Sequence, residues 1–369
     1  MNELSFFNPL KVSSKFPICN LPLRLDTYST CSYGCVYCQS NNRRRGYGRS
    51  SVPNIRWLEN KFRKVYDEEM VDTGNFLEVL LSDRVTLHGG GLSDCFQPCE
   101  LECHYTRDIV ELCNNYEQTI LFSTKSDNYY DVPLNPQLHS FQLSITNTID
   151  CNIEPYVPSF SKRYAFYKKL KDEGFRVGVR VQPYIPSITD VEQIIELFME
   201  ADHFTIESIK LVPGNPNNNE LLKQFGLKKT DFTQLGLLNL KPSIRLDLYR
   251  PVIRLLEEYG LSWSIADNDL HYLGNNYCCC GDGLIGKGIL FSNTFLIREL
   301  GTLDYSLDDV FGFAEGYLDC KCSSLYNSDR RNGCVTVRDF YLDRFGRKSA
   351  IFSPCFQFRE KSGYQSKLM

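Results

Sequence analysis

The sequence lacks any hydrophobic signal segment and any apolar run of 18 residues. A membrane-spanning helix needs about 20 mostly apolar residues, so we expect no association with a membrane. The sequence also lacks an excess of either charge, since 41 Lys and Arg stand against 45 Asp and Glu for a formal net charge of −4. No global electrostatic field therefore draws the chain to nucleic acid. Internal repeats and low-complexity tracts are missing as well, which excludes solenoid and repeat architectures.

Histidine is scarce, with five residues, whereas cysteine is abundant, with 16 among 369 residues. In a chain without a signal segment, so many cysteines favour a reducing, cytoplasmic location in which metal binding or catalysis outranks disulfide formation. The composition, 42% hydrophobic and 23% charged, is ordinary for a globular protein. A chain of this length suffices for one large domain with an extension.

The most informative stretch is Cys31-Ser-Tyr-Gly-Cys35-Val-Tyr-Cys38, directly after a strand predicted at 23–27. Three thiolates in one tight loop suit an iron–sulfur cluster that has three ligated irons and one open iron. Zinc is an alternative, although zinc sites usually add a second Cys or His pair nearby, and the next histidine is His88. Three inert, buried cysteines are the third interpretation, and the polar, glycine-containing surroundings argue against it.

This motif resembles the cluster motif of radical S-adenosylmethionine (SAM) enzymes, including the aromatic Tyr37 before the last cysteine. Further segments, in the same order along the chain, resemble the spore photoproduct lyase-like branch of that superfamily. They are Gly89-Gly-Gly-Leu-Ser-Asp94, Phe122-Ser-Thr-Lys-Ser126, Phe141-Gln-Leu-Ser-Ile-Thr146, Ile153-Glu-Pro-Tyr-Val-Pro-Ser159 and Val179-Arg-Val-Gln-Pro-Tyr-Ile-Pro186. The resemblance covers about residues 20–190.

The resemblance implies that a [4Fe-4S] cluster on Cys31, Cys35 and Cys38 offers its fourth iron to the amino and carboxylate groups of SAM. It further implies that one electron cleaves SAM to methionine and a 5′-deoxyadenosyl radical, which abstracts hydrogen from a substrate.

The resemblance also implies cofactor-binding residues, with Ser93, Lys125 and Ser144 at the methionyl end of SAM and Tyr37 beside adenine. An ammonium and two hydroxyls suit a carboxylate that needs charge-assisted donors. A solvated lysine, ordinary serines and a packing tyrosine are the alternatives.

Cys95 follows Ser93 and Asp94 at the predicted mouth of the site, where its thiol is a candidate catalytic hydrogen donor to a substrate radical. Free cysteine is more often structural than reactive, so packing is the alternative. The resemblance places the hydrogen-donating cysteine of photoproduct lyases two residues before the Ser-Asp pair, and this chain has Gly91 there. Repair of a thymine photoproduct by that route is therefore not implied.

Over residues 20–270, short apolar runs typical of strands alternate with segments whose apolar residues have helical spacing. This alternation predicts parallel strands with helices outside. Six predicted strands are at 23–27, 84–88, 119–124, 140–146, 176–181 and 204–212, and the predicted helices are at 54–71, 98–113, 160–173 and 190–201. A further helix is predicted at 243–259 and a further strand at 261–266, at the end of the barrel. We expect an α/β fold, a partial (β/α)6 TIM-type barrel, which the resemblance also implies. Residues 1–19 form a lead-in, 20–270 the barrel and 271–369 a cysteine-rich C-terminal extension.

The extension supplies a second group of candidate metal ligands, Cys280, Cys320, Cys322 and Cys334. An auxiliary iron–sulfur cluster, a structural zinc and no metal all remain open, because the spacing lacks a paired motif. Adjacent side chains diverge, so we do not expect 278–280 to bind one ion together. One of the tail thiols reaching the site as hydrogen donor is a further alternative.

The expected function is hydrogen abstraction from an organic substrate. A nucleic acid base or nucleotide is the preferred substrate, by analogy with the lyase-like branch and from the basic, glycine-rich stretch 41–49. A peptide or small metabolite, with an auxiliary cluster, is the second hypothesis. An electron donor such as flavodoxin or ferredoxin is the expected partner, and a non-enzymatic zinc scaffold is the alternative outside enzymes.

Overall fold

The computed structural model describes residues 5–12, 20–40, 51–150, 152–235, 237–267, 269–276 and 278–281, with the single positions 284, 306, 336 and 339. Its strands in chain order are β1 (Phe6–Phe7), β2 (Leu10–Val12), β3 (Leu23–Leu25), β4 (Val52–Pro53), β5 (Leu87–Gly89), β6 (Ile120–Thr124), β7 (His139–Ser144), β8 (Arg176–Tyr184), β9 (Phe204–Ser208), β10 (Lys210–Leu211), β11 (Phe232–Leu235), β12 (Leu237–Leu240) and β13 (Trp263–Ile265).

The α-helices are α1 (Ile55–Phe62), α2 (Phe76–Ser82), α3 (Glu100–Cys103), α4 (Tyr105–Asn115), α5 (Phe160–Asp172), α6 (Val191–Leu197), α7 (Asn218–Gln224) and α8 (Pro242–Glu258). A π-helical turn, Arg63–Asp67, extends α1, and short 3-10 turns occupy Lys229–Asp231 and His271–Leu273. Among the described helices, none has both the length and the apolar character needed to cross a membrane.

An eight-stranded sheet forms the centre of the fold, in the order β13-β9-β8-β7-β6-β5-β3-β2. Every neighbouring pair in it is parallel except β2 with β3. The predicted α/β class with a mostly parallel sheet is therefore confirmed. All six predicted strands are present as β3 and β5 to β9. The two edge strands come from outside that set, since β2 lies in the predicted lead-in and β13 is the further strand predicted at 261–266.

The two faces of this sheet differ in chemistry because side chains alternate along each strand. In β7, Phe141 and Leu143 belong to the hydrophobic core that packs under the helices, with Phe166 of α5 among their neighbours. The opposite, polar face is defined here by the side chains of Ser123, Gln142, Arg180, Thr205, Glu207 and Ser264, on the five strands β6, β7, β8, β9 and β13. Hydrogen bonds link neighbours on that face, from Ser123 Oγ to Gln142 Oε1 at 3.2 Å and from Gln142 Nε2 to Thr205 Oγ1 at 2.9 Å.

The helix predicted at 98–113 is interrupted at one residue. His104 has a left-handed backbone with φ of 55°, ending α3 and starting α4. The carboxylate of Glu100 then accepts hydrogen bonds from the backbone N–H groups of Thr106 at 3.0 Å and Arg107 at 2.8 Å. A buried carboxylate at the start of α4 satisfies helix N–H groups that have no intrahelical partner. Sequence periodicity does not detect such a break, because the break depends on the left-handed backbone of His104 and on the buried Glu100 carboxylate, not on the spacing of apolar residues.

Two smaller sheets flank the central one. β1 pairs in parallel with β4, and β10, β12 and β11 form an antiparallel sheet in that order. The predicted boundaries at 19/20 and 270/271 stay predictions. Residues 10–12 of the lead-in nevertheless lie in the central sheet.

Candidate functional site

The loop that follows β3 carries Cys31, Cys35 and Cys38 and is fixed by the loops after β5 and β7. Gln97, after β5, accepts a hydrogen bond from the backbone N–H of Ser32 at 2.7 Å and donates one to the carbonyl of Thr30 at 2.9 Å. After β7, the carbonyl of Ile153 accepts the N–H of Val36 at 3.0 Å. The cysteine loop therefore lies at the carboxyl edge of the parallel sheet, where ligand sites of open α/β sheets collect.

Gly34 allows the loop to turn between the first two cysteines. Its φ is +63°, and a Cβ there would lie 2.9 Å from the ring of Tyr156. Both the positive φ and the close ring favour glycine at this position.

The three thiols of the loop influence one another electrostatically. Burial, together with Asp94, raises the pKa of Cys31 to about 11, and Cys38 adds to the increase. Burial raises the pKa of Cys35 to about 12, with Lys125 opposing and the other two thiols contributing. Backbone N–H groups of Asp94 and Tyr33 contact the Cys31 sulfur and favour its thiolate. Three mutually interacting sulfurs, one of them solvated by backbone N–H groups, fit the donor set of an iron–sulfur cluster.

In the described part of the chain, no three His, Cys, Asp or Glu side chains are arranged as ligands of one metal ion. Thiolates of a cluster each bind a different iron, so they stand farther apart than the ligands of one zinc ion.

Lys125 lies directly after β6 and is the positive centre of a buried network. Its Nζ lies 2.6 Å from Oε1 of Glu154 and 3.0 Å from Oγ1 of Thr146. Glu154 also accepts hydrogen bonds from the hydroxyls of Tyr37 and Thr146, and Nη2 of Arg163 lies 3.5 Å from its other oxygen. Tyr37 and Lys125, both predicted cofactor-binding residues, are thus brought together, with Lys125 Nζ 5.8 Å from the Tyr37 ring centroid.

The charge of this network is fixed by its cations. Burial alone would raise the pKa of Glu154, but Lys125 and Arg163 hold it at about 2. Burial and the carboxylate of Glu154 raise the pKa of Tyr37 well above its usual value, so the phenol stays protonated. The network therefore presents two cations and one carboxylate beside Cys35.

The two predicted serines take part in different hydrogen bonds, Ser93 through its hydroxyl and Ser144 through its backbone carbonyl. Ser93 is 3% exposed, and its hydroxyl donates to the carbonyl of Tyr28 at 2.6 Å. Ser144 ends β7, and its carbonyl accepts a hydrogen bond from Nη1 of Arg163 at 2.8 Å. Their assignment to SAM stays a prediction.

Cys95 lies in the hydrophobic core with no exposed surface. Burial raises the pKa of its thiol, and a hydrogen bond with Thr27 partly offsets this effect. Its role as hydrogen donor stays a prediction, and this burial favours the packing alternative.

Among the tail cysteines, Cys280 is buried, while Cys320, Cys322 and Cys334 lie outside the described residues. The basic stretch 41–49 also lies outside them.

Two buried carboxylates of the site escaped sequence reasoning. Asp94 joins the loop after β5 to the end of β6, since it accepts the N–H of Lys125 and the hydroxyl of Thr124, both at 2.7 Å. Glu154 holds Lys125 and Tyr37. Both residues lie inside segments that resemble the lyase-like branch, and this resemblance was the signal in the sequence that could have identified them.

Glu154 and Arg163 also line a cavity of about 290 Å³ together with Asn147, Asp150, Pro155 and Ser159.

No protein-family model matches the chain. An uncharacterised protein of Methanocaldococcus jannaschii is 28% identical over 178 residues, which cover 46% of this chain and 63% of that protein. Spore photoproduct lyase complexed with a dinucleoside spore photoproduct is similar in structure, with a TM-score of 0.52 and 16% identity over 71% of this chain and 81% of the lyase. A variant of that lyase with bound S-adenosylmethionine and the dinucleoside has a TM-score of 0.51 and 16% identity, over 69% of this chain and 78% of the variant. The predicted resemblance is thus confirmed at the level of the fold.

Proposed function

We propose that this chain is a radical SAM enzyme of the spore photoproduct lyase-like branch. The observation that carries the proposal is the convergence of the thiols of Cys31, Cys35 and Cys38 beside Lys125 at the carboxyl edge of a parallel sheet. The fold shared with spore photoproduct lyase supports it. We further propose that the central sheet curves into a partial barrel with its polar face inside.

Cys31, Cys35 and Cys38 would hold a [4Fe-4S] cluster as thiolates. When bound, the cluster supplies the electron that cleaves SAM to methionine and a 5′-deoxyadenosyl radical. Lys125 offers an ammonium to the carboxylate of SAM, and Glu154 keeps that ammonium in position. Ser93 and Ser144 complete the methionyl site, and Tyr37 packs beside adenine. Lys125 and Arg163 carry two positive charges, and Glu154 carries one negative charge between them. The network therefore has a net charge of about +1, which favours an anionic ligand.

The preferred substrate is a nucleic acid base or nucleotide. The dinucleoside in the lyase structures supports this class by analogy only, and fold analogy is a weak warrant for substrate. The basic stretch 41–49 directly after the cysteine loop is the second support. Peptide or small-metabolite modification, with an auxiliary cluster or a zinc on Cys280, Cys320, Cys322 and Cys334, is the competing proposal. We also propose that a flavodoxin or ferredoxin supplies the electron. The proposed location is the cytoplasm.

The test is anaerobic reconstitution with iron and sulfide, followed by metal analysis and measurement of 5′-deoxyadenosine after reduction with SAM. We expect about four irons for the first cluster, and loss of those irons and of 5′-deoxyadenosine when Cys31, Cys35 and Cys38 are all replaced by Ala. Cys113→Ala is the matched control, because Cys113 is buried in the core. Stoichiometric zinc without iron, or 5′-deoxyadenosine from the triple variant, would contradict the proposal.

Substrate classes are then distinguished by adding oligonucleotide or peptide to the reduced protein. Stimulation of 5′-deoxyadenosine formation by DNA or RNA supports a nucleic acid substrate. Stimulation by peptide alone supports the competing class. About four irons remaining in the triple variant would indicate the auxiliary cluster.

A further inference from the structure

A second hydrophobic core joins the small antiparallel sheet of β10, β12 and β11 to the cysteine loop. The cysteine loop contributes Tyr37, and the loops after β7 and β8 contribute Ile153 and Ile185. The other buried members of this core all come from residues 209–240, which lie between β9 and α8. We call residues 209–240 the cover.

The cover has an apolar inner side and a polar outer side. Leu211 of β10, Leu222 of α7 and Phe225 directly after α7 are buried in the second core. Lys223 and Gln224, which stand between the last two, are exposed. An amphipathic segment of this kind is held in place by burial of its apolar side.

Polar contacts attach the cover to the carboxyl edge of the central sheet. Lys210 of β10 pairs with Glu207 of β9, and its Nζ lies 3.0 Å from Oδ1 of Asp267, which follows β13. Burial opposes the charge of Lys210, but the two carboxylates raise its pKa above the usual value. Ser187, after β8, donates from Oγ to the carbonyl of Phe225 at 2.6 Å. The cover is therefore fixed beside the ends of three strands.

Residues 35–37 of the cysteine loop lie against the same core. Cys35 and Val36 pack on it, and Tyr37 is one of its buried members. The N–H of Val36 donates to the carbonyl of Ile153, another member, at 3.0 Å. Burial is the main cause of the raised pKa of Cys35, about 12. An apolar shell around a metal ligand controls the access of solvent to the site.

We propose that the cover positions residues 35–37 and keeps water from the Cys35 side of the metal site, with Leu222 and Phe225 as positioning residues that act through the shared core. The positioning rests on packing alone, whereas the protection of a bound cluster rests on the proposed function. The resemblance to the lyase-like branch covers about residues 20–190 and implies nothing about the cover.

The first test measures amide hydrogen–deuterium exchange in the protein without metal, by peptide mass spectrometry. Leu222→Ala leaves a cavity in the second core, so the peptide that contains residues 35–38 should exchange about tenfold faster or more than in the wild type. Leu80→Ala is the matched control, because Leu80 is also a buried leucine of a seven-residue helix but belongs to the main core. It should leave the exchange of that peptide unchanged.

Ser187→Ala is the second variant, for the case in which circular dichroism shows that Leu222→Ala does not fold. It removes one hydrogen bond to the cover and no apolar group, so it should accelerate the same peptide by a smaller factor. Unchanged exchange of residues 35–38 in every variant of the cover that folds would overturn the proposal. Equal acceleration in Leu80→Ala, or in the core strand β6, would do the same, because it shows a loss of global stability.

The second test follows the transfer of iron from the reconstituted protein to the chelator bathophenanthroline. The release should be about tenfold faster in Leu222→Ala than in the wild type and in Leu80→Ala, because water and chelator then reach the Cys35 side of the site. Equal release in all three proteins would overturn the inference and leave the proposed function intact. A wild type that binds no iron would overturn the proposed function, and accelerated exchange of residues 35–38 would still support the positioning.

Discussion

Nζ of Lys125 lies 2.6 Å from Oε1 of Glu154, and this ion pair joins the end of β6 to the loop after β7. The Lys125 side chain is 14% exposed and that of Glu154 is 6% exposed. Because Glu154 also accepts a hydrogen bond from Tyr37, the same carboxylate fixes the cysteine loop. The candidate SAM site and the cysteine loop therefore depend on one buried charge.

Glu154→Gln should destabilise the fold by about 3 kcal/mol, because it leaves Lys125 and Arg163 buried without their counter-charge. Urea denaturation measures the loss. The control is Glu173→Gln, whose carboxylate is partly exposed beside Lys169 and should cost less than about 1 kcal/mol. Equal effects of the two substitutions would show that the Glu154 network contributes no more than a surface pair.

Lys125→Met should weaken the binding of SAM to reconstituted protein by about tenfold or more, because a charged hydrogen bond contributes about 1.5–3 kcal/mol. Isothermal titration calorimetry measures the affinity. Lys168→Met is the control, since Lys168 forms a surface pair with Glu200 at 2.8 Å. Unchanged affinity in Lys125→Met would remove Lys125 from the cofactor site.

Gly90→Ala should destabilise the fold by about 3 kcal/mol or more, combining a strained backbone with a steric clash. Gly90 has φ of +85°, and a Cβ would lie 2.0 Å from the carbonyl oxygen of Ser123. Gly174 has nearly the same φ, +83°, but no atom lies within 4 Å of its Cβ position. Gly174→Ala should therefore cost only about 1 kcal/mol. Thermal unfolding of both variants separates the clash from the backbone strain.

His139 should make stability depend on pH. Burial lowers its pKa from 6.5 to about 4, so the unfolded chain binds the proton more readily than the folded one. The stability that neutral His139 contributes is complete above about pH 6.5 and is lost as the pH falls toward 4. When the pH falls from 7 to 5, the free energy of unfolding should decrease by about 1–2 kcal/mol less in His139→Gln than in the wild type. Urea denaturation at both pH values measures the difference. Parallel loss in both proteins would contradict the assignment, since His203 and the carboxylates titrate in each.

The cysteine spacing and the strand–helix alternation are local features, so the sequence alone determined the α/β class, the central strands and the position of the cysteine loop directly after a strand. The sequence could not pair Glu154 with Lys125 or bring Cys279 beside Arg180, because these residues are 29 and 99 positions apart in the chain and meet only through strand order. The break at His104 was also hidden, since it depends on the buried Glu100 carboxylate rather than on periodicity. Local pattern sets which segments become strands. Which side chains then share a face, and which charges must neutralise each other, is decided only when the sheet assembles and excludes water.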